Sequence, residues 1–482
     1  MSNLTTTWIA LSLFTGFIIY LIPRLARYLA VAVALMSIAY GVWVLAAPVA
    51  PLTLQLLDNF GVTLIVDSLS GYFILTNALV TFAVLLACWQ SDRTAFFYMQ
   101  MVILHGSVNA VFICADFISL YVALEVISIA TFLLIAYPRT DRSIWVALRY
   151  LFVSNTAMLF YLVGAGLVYQ THHSFSFTGL WSAPPDAIAL IFLGLMTKGG
   201  IFVSGLWLPF THSQAATPVS ALLSGVVVKT GVFALVRCAL MAGEVPPLFR
   251  WFGIGAAFLG VTYAIFESDT KRVLASSTVS QLGWILVAPE VGGVYALAHG
   301  LAKSTLFLIV GALPSRDLKQ LQQQPIPTAL WLPLAIAGLS ISGFPLLVGF
   351  GAKALTLKSL SPWQNGMMSL AAVGTAVVYA KFIFLPQKRT PAVGAKETLG
   401  AGFWGAVTLL SITLLVASAW TYDTYTLANL VKAVAIVAVG WLVYFLMVRR
   451  SEIHLPHGLE QLEHLIGVMS LILLMLFWMV RI

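Results

Sequence analysis

Four lysines and one glutamate stand inside stretches of this chain that are otherwise apolar enough to cross a bilayer. Lys198, Lys229, Lys303 and Lys353 each have a long apolar run on at least one side, and Glu125 is the only one of the 17 acidic residues well inside such a stretch. A charge at mid-membrane costs about 2.5–3.5 kcal/mol, so five cost about 12–18 kcal/mol before any pairing. A fold that accepts this must turn those side chains toward one another or toward water. Intramembrane ionisable residues of this kind mark an ion or proton path by default.

The 482 residues are 60% hydrophobic and only 9% charged, against about 25% charged in soluble domains. The chain is therefore read as an all-α, polytopic integral membrane protein. No polar stretch is long enough for a soluble domain, so the net charge of +8 reads as loop topology and not as a nucleic-acid surface. Cys88, Cys114 and Cys238 lie in apolar segments at unrelated spacings, which specifies neither a disulfide framework nor a metal site. No phosphate-binding loop, dinucleotide fingerprint, paired CxxC or HExxH occurs, so no cofactor or metal is expected.

Windows of apolar residues place sixteen spans near 5–22, 26–47, 68–88, 94–114, 117–136, 144–169, 186–207, 216–242, 251–266, 272–288, 292–313, 328–359, 363–386, 399–418, 428–448 and 462–480. The stretch 328–359 is long enough to be a broken helix, with Gly343-Phe344-Pro345 as the breaker. If the N-terminus is outside, the inside loops hold fourteen basic residues: Arg24, Arg27, Arg93, Arg139, Arg142, Lys271, Arg272, Arg316, Lys319, Lys388, Arg389, Lys396, Arg449 and Arg450. The outside holds only Arg250, Lys358 and Arg481. Such a positive-inside bias places both termini on the non-cytoplasmic side of a bacterial plasma or internal energy-coupling membrane.

The lysines also repeat. Lys198 and Lys229 fall on consecutive spans, as do Lys353 and Lys381, and Lys198 and Lys353 both lie beside glycines. Five spans separate the equivalent positions, an odd number, so the two copies run in opposite senses. Inverted five-helix repeats with discontinuous helices place a polar site at the membrane midplane. In the first copy the break is expected around Lys198-Gly199-Gly200, with Pro209 ending the helix. The chain then divides into N-terminal transmembrane helices over 1–114, a first half over 94–242, a second half over 251–386 and C-terminal helices over 399–482.

Glu125 lies about 12 Å into its span and Lys198 about 18 Å into its own at the helical rise. A facing Glu–Lys pair is a two-state element: together the lysine keeps its proton, and apart it releases it. The alternative is a static ion pair. His299 and Lys303, four residues apart, project from one helix face, which suits a proton relay with Lys229 better than packing. Lys353 either ends this series or extends its stem toward the outer interface. Lys381 and Lys432, near helix ends, read as snorkelling. His212 is placed at the inside mouth of the lysine helix, as a proton loader or an ordinary interfacial histidine. Asp269, Lys271 and Arg272 read as an ion cluster fixing a helix start. Ser277, Ser280 and Gln281 follow as groups able to hold water between the halves.

The run from Asp116 to Glu125 resembles the glutamate helix of proton-pumping antiporter-like subunits. Leu206-Trp207-Leu208-Pro209, then Ala216-Thr217-Pro218 through Lys229-Thr230-Gly231, is similar to their seventh and eighth helices. Asp269 to Gly283 resembles a further characteristic run. The family is shared by respiratory complex I and the Mrp-type multisubunit sodium/proton antiporters; lysine at position 353 resembles the Mrp D-type and N-type subunits, and the runs Leu120-Tyr121-Val122 to Glu125 and Ser220-Ala221-Leu222-Leu223 to Lys229-Thr230-Gly231 resemble the D type more closely. The resemblance implies that Glu125 and Lys198 form the coupling pair, that Lys229 and His299/Lys303 carry the central relay, and that Lys353 is the terminal proton site. It implies a proton-translocating subunit of an Mrp-type cation/proton antiporter, with a complex I-like quinone oxidoreductase subunit as the alternative. Partners would be other membrane subunits, the lipid bilayer, protons and, as a second candidate ion, sodium. Two features depart from the family: sixteen spans against a fourteen-helix core, and Leu124 where an aromatic is frequent.

Overall fold

A chain with so few polar side chains must satisfy its backbone internally once it leaves water, which inside a bilayer leaves only helices or a closed barrel. The computed structural model describes every residue except 1, 47–50, 58–60, 389–398, 452, 454, 457 and 482. The expected loop residues Arg389 and Lys396 lie outside the described residues. The architecture is a helical bundle: α1 (Ser2–Leu21), α2 (Ala26–Ala46), α3 (Ser68–Ala87), α4 (Ala95–Val111), α5 (Phe117–Ala136), α6 (Asp141–His172), α7 (Pro185–Gly199), α8 (Trp207–Gln214), α9 (Thr217–Leu222), α10 (Val228–Leu240), α11 (Pro247–Phe266), α12 (Thr270–Val287), α13 (Gly292–Ala312), α14 (Leu318–Gln323), α15 (Thr328–Ser342), α16 (Val348–Lys358), α17 (Pro362–Ile383), α18 (Ala401–Val416), α19 (Leu427–Val443) and α20 (Leu462–Arg481).

Among the described residues, thirteen helical stretches are long and apolar enough to cross a membrane, and α4 and α15 are shorter apolar helices. α12 completes the sixteen positions read from sequence. It is polar in composition, yet nearly every residue from Val273 to Val287 is buried. The bundle is layered by burial. The stretch α9–α10 is wholly buried and α13 94% buried, whereas α19 is 17% buried, so the helices that carry Lys229 and Lys303 form the centre and α19 lies at the periphery. α19 packs on α17 and α20 on α7, so the last two helices flank opposite parts of the bundle.

Helix starts are fixed by short acidic caps. Asp67, Asp116 and Asp269 accept from the amides of Ser70 at 2.9 Å, Ser119 at 2.7 Å and Arg272 at 3.0 Å. An antiparallel hairpin, β1 (Leu52–Leu57) with β2 (Gly61–Val66), joins α2 to α3. It was not legible in sequence, and it clips onto the α4–α5 loop through Ile65 N to Ile113 O and Ala115 N to Thr63 O.

Both breaks fall at the expected glycines. α7 ends on Gly200 at φ +66° and α15 on Gly343 at φ +84°, left-handed conformations that glycine adopts without a Cβ penalty. Pro209 does not end the first broken helix. The chain resumes as α8 at Trp207, which puts Pro209 in the opening turn, where a missing amide costs nothing. A third irregularity is a π-helical turn over Leu223–Val227, between α9 and α10.

The start of α12 is held by Asp269 and Arg272, as the sequence indicates, but Lys271 instead donates to Ala215 O at 2.9 Å, and the charge cluster reaches further. Arg272 bonds Glu267 at 2.7 Å and Glu460 at 2.6 Å, and Arg316 bonds Asp269 at 2.6 Å. Glu460 precedes α20, so this one guanidinium ties the C-terminal segment to the bundle. Burial alone would raise the Glu267 carboxyl. The Arg272 hydrogen bond and charge, with the Asp269 and Ser268 amides, outweigh it and hold the group below its ordinary value. Arg272→Ala removes the guanidinium shared by the half-buried Glu267 and the buried Glu460 carboxylates and is expected to cost about 3–5 kcal/mol, read as a lower thermal midpoint in detergent. Because the Glu267 value is depressed in the fold, its stabilisation is present above about pH 4.3 and is lost as pH falls below that toward the folded value. Glu267→Gln should therefore flatten the acid limb of a stability–pH profile.

Candidate functional site

Lys198 is the last but one residue of α7, beside the break, and is buried. Its ammonium donates to Ser128 Oγ at 2.5 Å and Ser154 Oγ at 2.7 Å, from α5 and α6, and lies 5.8 Å from the Tyr150 ring centroid. The direct Glu125–Lys198 pair expected from sequence is not formed. Glu125 couples to Lys198 electrostatically, while its Oε1 is buried without a hydrogen-bond partner. Ser128 stands three residues after Glu125, a neighbour on the same helix face, and takes the Lys198 hydrogen bond that Glu125 does not. The break itself is sealed by Trp207, whose indole donates to Thr197 O at 2.9 Å.

Lys229 sits two residues past the end of the π segment. Its ammonium turns back to Gly225 O at 2.7 Å and Ser224 O at 3.2 Å. The wider π turn displaces carbonyls from their usual partners, and the lysine takes them up. Ser224 Oγ meets Thr278 Oγ1 of α12 at 2.7 Å. From the other side, Lys303 of α13 donates to Leu274 O and to Ser277 Oγ, both at 2.6 Å, and Ser277 Oγ lies 2.7 Å from Tyr379 OH of α17. α12 thus carries hydroxyls toward both central lysines, and its polarity is explained.

His299 is buried, with neither ring nitrogen hydrogen-bonded, and couples electrostatically to Lys229 and Lys303. It borders a cavity of about 10 Å³ shared with Gln281, Tyr295, Ser340 and Gly349, a space for about one water. Gln281 accepts from Tyr295 OH at 2.7 Å, and Tyr295 stacks on Trp284 at 5.8 Å. Lys353 lies 4.8 Å over the Trp284 ring. Its ammonium is buried with no hydrogen-bond partner, and its stem packs against Gly343 at the second break. It does not snorkel.

Three sequence expectations change. His212 is not at an open mouth: it is fully buried and stacked on Phe307 at 5.1 Å, with both ring nitrogens unpartnered. Lys381 does not snorkel either. Its ammonium bonds Ala264 O at 3.0 Å, Glu267 O at 2.9 Å and Ile265 O, capping the C-terminus of α11. Ser280 makes no side-chain hydrogen bond and lies where α12 approaches Gly260, so only Gln281 of that pair joins the row. Ser154, Thr278, Tyr295 and Tyr379 were missed. Hydroxyls on apolar helices carry no distinguishing spacing, and their partners come from distant segments. Among the described residues, no group of three or more His, Cys, Asp or Glu could hold a metal ion.

All the charged groups of this row lie between residues 114 and 378, the segment that matches the NADH:quinone oxidoreductase/Mrp antiporter transmembrane family, more than half of the chain. The chain belongs to that family. It is 31% identical over 329 residues to the N-type subunit of the NADH-quinone oxidoreductase of Desulforudis audaxviator, covering 61% of this chain and 66% of that protein. It is 27% identical over 350 residues to the D-type subunit of the Na(+)/H(+) antiporter of Alkalihalophilus pseudofirmus, covering 66% of this chain and 70% of that one. In fold it resembles a chain of the archaeal membrane-bound sulfane sulfur reductase, at TM-score 0.74 and 20% identity over 92% of this chain and 99% of that one. It also resembles the Mrp complex of a Dietzia species, at TM-score 0.72 and 24% identity over 98% of this chain and 55% of that one. The protein is an antiporter-like membrane subunit of the Mrp and complex I family.

α7 and α10 touch at Gly231, where an added methyl would overlap Gly199 N and Leu195 O, both backbone atoms. Gly231→Ala is expected to cost about 1–3 kcal/mol through overpacking, seen as a lower detergent melting temperature. Gly243→Ala, with no heavy atom near its Cβ position, should lose less despite its positive φ.

Proposed function

We propose that this chain is the proton-translocating subunit of an Mrp-type monovalent cation/proton antiporter. Protons move along Glu125, Lys198, Lys229, His299, Lys303 and Lys353, between two half-channels built by residues 94–242 and 251–386 as inverted repeats. One observation carries the reading. Four lysines and a histidine are buried among apolar helices, each lysine held by hydroxyls, carbonyls or an aromatic face and none by a carboxylate. A static charge would call for a counter-ion at that depth. The hydroxyls of Ser128 and Ser154 at Lys198 and of Ser277 at Lys303 both donate and accept, which suits a group that alternates between carrying a proton and giving it up.

Glu125 is the element that switches. Moving toward Lys198 it favours the protonated amine, and moving away it frees the proton for the next site. Ser128 and Ser154 hold Lys198 in both states. A complex I-like role is the second reading, supported by the 31% identity to an oxidoreductase N-type subunit. There the same row would run under a redox-driven partner. In either case the chain works with other membrane subunits, and the termini face the non-cytoplasmic side, as the basic residues of the loops indicate.

Glu125→Gln and Lys198→Ala, each in a complex that still assembles, are expected to reduce proton flux in inverted vesicles about a hundredfold. Ser128→Ala combined with Ser154→Ala should lower it by a smaller factor. Unchanged flux in both charge variants would mean that the chain is a scaffold. The subunits that copurify from native membranes decide between the Mrp and the complex I-like readings.

A further inference from the structure

α19 ends in a π segment over Tyr444–Val448, which Arg449 N closes on Tyr444 O at 2.8 Å. Such segments occur frequently at functional sites, and the one over Leu223–Val227 adjoins Lys229. Beside Tyr444 lies a cavity of about 70 Å³, bordered by Glu267, Lys319, Gln322, Lys381, Arg449 and Ser451. One water needs about 10–15 Å³, so the space takes a group of several heavy atoms, the size of a phosphate.

The lining holds three cations and one carboxylate. That carboxylate is already engaged: Glu267 accepts from Arg272 Nε at 2.7 Å and from the amides of Ser268 at 2.8 Å and Asp269 at 3.1 Å. Lys381 is occupied by carbonyls of the α11 end. Lys319 and Arg449 differ from both. They are exposed, and among the described residues neither side chain has an ion-pair or hydrogen-bond partner; Arg449 rests over the Phe445 ring at 5.6 Å. Tyr444 adds a buried donor. It is 3% exposed, its hydroxyl accepts from Gln322 Nε2 at 3.4 Å, and its own proton has no acceptor among the described residues.

The surroundings set the depth. Phe384 packs on Trp441 at 5.1 Å and on Phe445 at 4.7 Å, an aromatic group of the kind found at headgroup level. Leu442, Phe445 and Leu446 are exposed, so α19 offers an open apolar face next to the basic cavity. A ligand that fills both has a negative head and hydrocarbon chains.

We infer that this cavity binds the phosphate of an anionic phospholipid, held by Lys319, Arg449 and Tyr444, with the chains lying along α19. Basic pockets between transmembrane helices take such headgroups. A zwitterionic lipid brings its own ammonium toward Lys319 and Arg449 and is disfavoured. Free phosphate shares the headgroup chemistry, but the apolar face favours the lipid. The site stands apart from the row between Glu125 and Lys353 and does not depend on which ion that row carries.

The test reads which lipid occupies the site. Leu446→Cys in the assembled, purified complex is labelled with bimane and reconstituted into dioleoylphosphatidylcholine vesicles. These contain phosphatidylglycerol or phosphatidylcholine carrying a doxyl quencher near the top of one chain. Cys88, Cys114 and Cys238 are buried, and the parent complex gives their background. Half-quenching is expected at a mole fraction of the anionic lipid about tenfold lower than of the zwitterionic one. Lys319→Gln with Arg449→Gln should bring the two within about twofold. Lys388→Gln with Arg450→Gln removes the same charge from outside the lining and should leave the preference intact. Equal quenching by both lipids, or quenching by neither, overturns the site. So does a preference that survives the first pair of substitutions, or one that both pairs abolish alike, which is general surface attraction. Millimolar inorganic phosphate at constant ionic strength tests the source: an unchanged preference supports the lipid, and its loss assigns the cavity to a free anion and overturns the lipid assignment.

Discussion

Inside a bilayer every backbone group that leaves a helix ladder, and every charge, has to find its partner within the protein. Here the two kinds of orphan meet. The π turn before Lys229 displaces the Ser224 and Gly225 carbonyls, and the Lys229 ammonium receives them. The end of α11 exposes carbonyls to Lys381, and the break after α7 leaves the Thr197 carbonyl to Trp207. Helix irregularity and intramembrane charge are thus two halves of one arrangement.

That arrangement dictates the layering. α12, too polar to face lipid, is buried on all sides and hands hydroxyls to α10 and α13. Its neighbours are α8, α10, α11, α13 and α17, while α1, α2, α18, α19 and α20 are the least buried helices. The charges that a membrane interior could not hold unpaired sit at the helix ends, where Asp67 meets Arg237 and Ser70 and Arg272 joins Glu267 to Glu460. The ends are therefore pinned by ion pairs, while the middle is held by neutral partners. This contrast separates the structural charges from the candidate relay.

The positions of all sixteen spans, both breaks and the four deep lysines were legible in the sequence, because apolar length, glycine and isolated charge are local signals. The hairpin before α3 was not: its strands are short and pair with a loop some fifty residues away. Lys381 and His212 were misjudged for a related reason. Distance from a helix end suggests snorkelling or an open mouth, yet what decides is whether a neighbouring helix covers the residue. α11 covers Lys381, and Phe307 of α13 covers His212.

The sequence by itself determined that this chain spans a membrane many times and carries charges at mid-depth, since hydropathy and insertion cost are properties of each segment alone. It determined the family too, through contiguous runs. Which groups those charges meet was decided only by the tertiary structure. Ser128 and Ser154 receive the Lys198 ammonium, α12 bridges the central lysines, and α19 walls the space beyond Lys353. Each of those contacts joins segments far apart in the chain, and helix packing, not local composition, sets which faces meet.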